Sequence, residues 1–117
     1  MQRPLRAGTI ASLLIVTLTG CAGNPSLYRW GVYEDLIYQS YRGESDPLTD
    51  AARLAEDVAR TDAEGLAVPP GGHAHLGYLY YNQGDLGLAR THFDRELRLY
   101  PESASFINGI LRRMEQP

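Results

Sequence analysis

From residue 31 onward, apolar residues return every three or four positions, the period of an amphipathic helix, and glycine and proline divide the pattern into successive stretches. The first runs from about Gly31 to Arg42, with Trp30, Tyr33, Ile37 and Tyr41 on one face and Gly43 ending it. Asp46-Pro47 opens a second, Asp46 as N-cap and Pro47 at the first helical position. Its expected buried stripe is Leu48, Ala51, Ala55, Val58 and Ala59, with Arg53, Glu56, Asp57 and Arg60 facing water and Gly65 closing the helix. Val68-Pro69-Pro70-Gly71-Gly72 is a break that neither a helix nor a central strand tolerates. A third helix follows it to about Gln83, Gly84 stops it, and Asp85 caps a fourth whose face is Leu86, Ala89, Phe93, Leu97 and Tyr100 before Pro101. A fifth begins near Ser103, with Ile107, Ile110, Leu111 and Met114 inward. No run alternates as a strand would, so the expected fold class is all-α, about five helices.

The start of the chain reads differently. Met1 to Arg6 is basic, and Ala7 to Thr19 is an apolar run that rises about 20 Å as a helix, short of the roughly 30 Å hydrocarbon core. That layout is a signal peptide rather than a membrane span. Leu18-Thr19-Gly20-Cys21 resembles the lipobox of bacterial lipoproteins, which implies cleavage before Cys21 and lipidation of its thiol with acyl chains such as palmitate. A single cysteine in an exported protein fits modification better than pairing. The expected organisation is a signal peptide over 1–20, a lipidated tether over 21–27 and a helical domain over 28–117. Ala22, where an aspartate would signal inner-membrane retention, favours the outer membrane, with the domain on the periplasmic face. The tether reaches no further than about 23 Å, so any partner sits at the same membrane. Tyr28, Trp30 and Tyr33, just after it, either rest at lipid headgroups or staple the first helix to the core.

Helices three and four resemble one tetratricopeptide repeat. His73, Leu76, Gly77, Tyr80, Ala89, Phe93 and Pro101 stand at the signature positions. Gly77 and Ala89 are small where two helices cross closely, and Tyr80 and Phe93 fill the space beside them. The chain departs at His73, where Trp or Leu is usual, and at Glu96, which replaces a small residue. One repeat cannot bury its own apolar face. The resemblance therefore implies a short helical-hairpin solenoid, helices one and two stacked in front and helix five capping the rear. It also implies that Ala74, Tyr78, Tyr81 and Asn82 face the inner groove and bind a partner, unless helix one or five covers the two tyrosines. The Lys and Asn of a carboxylate clamp are replaced by Ala74 and Tyr78.

Over nearly the whole mature chain the sequence is also similar to a family of small, uncharacterised proteobacterial lipoproteins. The likeness is carried by Leu27-Tyr28-Arg29-Trp30-Gly31 with Tyr33-Glu34, by Pro69-Pro70-Gly71-Gly72-His73-Ala74-His75-Leu76-Gly77, and by Tyr100-Pro101-Glu102-Ser103. Members are often encoded beside a lipoprotein like the curli-secretion channel CsgG, which implies an envelope assembly with a CsgG-like partner.

Charge and chemistry narrow the expectation. The chain of 117 residues has a net charge of −3, and losing Arg3 and Arg6 with the leader leaves nine basic against fourteen acidic residues, or −5. Without a basic cluster, nucleic acid is not the expected partner. His73, His75 and His92 are the alternative candidates for a metal or catalytic site, although His73 and His75, two apart, diverge on a helix. No nucleophile elbow or phosphate loop is present, and no cofactor is expected. The expected function is a non-enzymatic interaction adaptor anchored in the envelope; a structural lipoprotein without a dedicated partner is the further alternative. The oligomeric state is left open.

Overall fold

The computed structural model describes Gly23 and residues 26–116. The expected signal peptide and Cys21 lie outside the described residues. The architecture is all-α: α1 (Tyr33–Arg42), α2 (Pro47–Ala63), α3 (Gly72–Asn82), α4 (Leu86–Leu99) and α5 (Ala104–Met114), with a 3-10 turn over Pro101–Ser103. Among the described residues there is no strand, only one isolated parallel bridge, Tyr28 to Ala67.

Local chemistry sets the helix ends. Gly43, at φ 71°, terminates α1 in the left-handed conformation. Pro47 opens α2, where its missing N–H costs nothing. The Asp85 carboxylate accepts a hydrogen bond from the Leu88 N–H at 3.0 Å and so caps α4.

Successive helices run antiparallel. Arg53 of α2 pairs with Asp35 of α1, Gln83 at the end of α3 donates to the Pro47 carbonyl at the start of α2, and Arg90 of α4 pairs with Glu115 after α5. α1, α3 and α5 therefore all begin at one end of the bundle. Two buried clusters hold it together. Leu36, Ala51, Leu54, Val58, Val68, Leu76 and Leu79 join α1, α2 and α3; Ala74, Ala89, Phe93, Ile107 and Ile110 join α3, α4 and α5.

α3 and α4 cross closely at Gly77. A methyl group there would lie 2.8 Å from the Phe93 ring and 3.1 Å from the Ala89 carbonyl oxygen, so α3 and α4 touch where the sequence places its small residues.

Two of the expected faces are corrected. On α1 the buried residue is Leu36, whereas Tyr41 is exposed; Tyr33 packs half-buried against the core and, with Ile37, also lines a second face. On α2 the buried stripe is Asp50, Ala51, Leu54, Asp57, Val58 and Thr61, whereas Leu48 and Ala59 are exposed. The stripe is rotated because Asp57 turns inward to serve the start of α1. Its carboxylate accepts from the Val32 N–H at 3.2 Å and lies 3.7 Å from the Arg29 guanidinium. Gly31, at φ 50°, makes room for it: any side chain there would overlap the Asp57 carboxylate.

Candidate functional site: a groove lined by three helices

The three helices that start at the same end enclose a groove of about 530 Å³. α1 contributes Tyr33 and Ile37, α3 contributes Ala74, His75 and Tyr78, and α5 contributes Phe106, Ile110 and Arg113. Gly71 and Ser103 close its end near the helix starts. The walls are chiefly apolar and aromatic with a few polar groups, the composition of a binding surface. The side chains recur at helical spacing, Tyr33 with Ile37, Ala74 with Tyr78, and Phe106 with Ile110 and Arg113.

A buried carboxylate behind the groove ties three of its lining residues together. Glu96 of α4, inaccessible to solvent, accepts hydrogen bonds from the Gly71 N–H at 2.7 Å, the Ala74 N–H at 3.1 Å and the Ser103 hydroxyl at 3.3 Å. Gly71 and Ala74 are the N-cap and third residue of α3, whose amides have no partner within their own helix. A negative charge at a helix N-terminus is favourable as well. One side chain thereby joins α3, α4 and the start of α5. This is the physical meaning of the Glu96 departure: the residue leaves no space to fill, because it supplies the cap that Gly71 lacks.

Of the groove residues expected from the sequence, Ala74 and Tyr78 line it. Tyr81 instead lies half-buried against the second core cluster, and Asn82 is exposed at the end of α3; neither lines the groove. Sequence reasoning missed Phe106, Arg113 and the groove role of Ile37 and His75. Their signal is the spacing along α1 and α5, which identifies an apolar face without saying what it faces.

The three histidines do not gather. His73 is inaccessible to solvent and stacks on His92 with ring centres 5.3 Å apart and Nδ1 to Nδ1 at 3.1 Å, so one ring donates and the other accepts. Tyr80 stacks on the other side of His92 at 5.6 Å. Burial, then the neighbouring His92, hold His73 down to about 4. His75 lies in the groove, 6.0 Å from the Tyr33 ring, and burial lowers it too. Among the described residues no three His, Cys, Asp or Glu side chains are placed to hold a metal ion together. Two residues apart on α3, His73 is turned towards α4 and His75 into the groove.

These features define a small all-α domain of antiparallel helical hairpins that presents an open aromatic groove. The chain belongs to the family described as a domain of unknown function (DUF4810), whose profile matches residues 27–110. That match spans Gly31, Gly71, Gly77 and Ser103. No curated protein and no solved structure matches the chain.

Proposed function

We propose that the protein is an outer-membrane lipoprotein, anchored through Cys21 on the periplasmic face, which acts as a non-enzymatic adaptor in an envelope assembly. The observation that carries the binding role is the groove between α1, α3 and α5, with Tyr78 and Phe106 exposed in its walls. Tyrosine and phenylalanine give large contact area at low entropy cost, as protein-binding surfaces require. The tetratricopeptide-like signature on α3 and α4 supports the same reading, since repeats of that kind bind partners through the first helix of each pair. A CsgG-like lipoprotein is the partner that the sequence likeness suggests. The short tether supports a partner at the same membrane.

The test is mild crosslinking in cells that express the neighbouring genes, followed by isolation from membranes. Recovery of one envelope protein, lost when Tyr78 and Phe106 are both changed to Ala, is the expected result. Recovery of no specific partner, or of the same partner with equal yield from the double variant, overturns the groove's role.

A further inference from the structure

At the end of the bundle where α1, α3 and α5 begin, exposed apolar side chains gather around an aromatic staple. Tyr28 packs edge-on against Trp30 and Tyr100 at 6.1 and 6.2 Å, and the Tyr100 hydroxyl donates to the Val68 carbonyl. The Tyr28–Ala67 bridge, with the Arg29 N–H donating to the Ala67 carbonyl at 2.9 Å, draws the incoming chain alongside the α2–α3 loop. Around this staple Leu27 is 82% exposed, Leu66 51%, Leu99 50% and Trp30 39%. They come from three segments distant in sequence, so their common location is a product of the fold. Several charges at the same end are paired, Arg29 with Glu64 and Asp57, and Arg95 with Asp62, while Glu102 is exposed.

We infer that this end is a membrane-seating face, in which Trp30, Leu27, Leu66 and Leu99 rest at the headgroup level of a zwitterionic phospholipid bilayer. The inference rests on the Cys21 anchor of the reading above. The position of the chain's entry argues for the bilayer as occupant. Six residues beyond Cys21 the chain arrives at Leu27, within this patch, and that length spans at most about 20 Å. A lipid on Cys21 holds this end nearest to the membrane and the opposite end, with Tyr41 and Met114, furthest away. Tryptophan favours the headgroup interface, and leucine beside a lipid anchor adds apolar area there. One consequence concerns the groove. Its three helices start at the seated end, so it stands along the bilayer normal, with Tyr33 and Ser103 near the membrane. Arg113, about 15 Å along α5, lies at the far end.

Trp30 is the only tryptophan in the chain, so its fluorescence reports this face alone. The full lipidated protein is reconstituted into phosphatidylcholine vesicles with and without brominated acyl chains, and flotation is measured on the same samples. The expected result is co-flotation with about a twofold or greater loss of Trp30 emission in the brominated vesicles. The double variant Leu27→Ser, Leu66→Ser should float equally, keep its helical circular dichroism and lose most of that quenching. Flotation without quenching overturns the seating face and leaves the anchored adaptor standing. Absence of flotation overturns the anchor, and the seating face with it. Blue-shifted emission that brominated lipid does not quench points to self-association through this patch and overturns the bilayer as its occupant.

Discussion

The residues that decide this structure are polar ones in buried places. Glu96 takes hydrogen bonds from two amides of the α3 start and from Ser103. Replacing it with Ala strands those donors and leaves a void, and should cost about 2–4 kcal/mol in a urea titration. Glu96→Gln keeps a carbonyl acceptor and should cost markedly less. His73 makes a different prediction. Its neutral form is the buried one, so the folded chain resists protonation down to about 4 while the unfolded chain takes up a proton below its ordinary value of 6.5. Stability should therefore fall as pH drops from 6.5 towards 4, by up to about 1.4 kcal/mol per pH unit for this one group. His75 and His92, both lowered by burial, act in the same direction. His73→Leu, which also removes the unpartnered Nε2, should flatten that limb in denaturant titrations at several pH values. A pH dependence that the substitution leaves unchanged would show that other groups set it.

At the scale of the element, helix boundaries were legible because breakers and caps act locally. Gly43, Asp46-Pro47, Gly71-Gly72, Gly84-Asp85 and Pro101 each mark an observed helix end. The Gly77 crossing was legible too, since a glycine and an alanine at matching places on two helices mean close approach. Gly77→Ala pushes a methyl into the Phe93 ring, and should cost about 1–3 kcal/mol, measurable as a lowered melting temperature. What the pattern did not reveal was which of two apolar faces is covered. On α1 the aromatic comb at Tyr33 and Ile37 is as regular as a core stripe, yet the core takes Leu36, and the comb lines the groove. Inward acids were opaque too: Asp57 looks like a solvated charge, and Glu96 only like a misfit at a packing position, until the neighbouring helix start brings its amides to them. That distance is set by tertiary packing, about which spacing along one helix says nothing.

For the whole molecule, two surfaces on one small bundle acquire separate tasks. On the proposed reading, the end that receives the chain from Cys21 seats on lipid, and the face lined by α1, α3 and α5 is offered sideways to a partner held at the same membrane. Changing Cys21 to Ser should leave the fold intact by circular dichroism and abolish partner recovery, because the groove then loses its place beside that partner. The groove could be read only in part beforehand. Ala74 and Tyr78, singled out by their repeat positions, line it, whereas Phe106 and Arg113 come from a helix whose partner face no repeat signature specified. The most direct test places a photo-crosslinking amino acid at Tyr78 or Phe106 in one set of cells, and at exposed Leu48 or Leu88, neither of which lines the groove, in another. The account predicts one discrete membrane-protein adduct from the two groove positions and none from the other two; equal adducts from all four, or none from Tyr78 and Phe106, would contradict it.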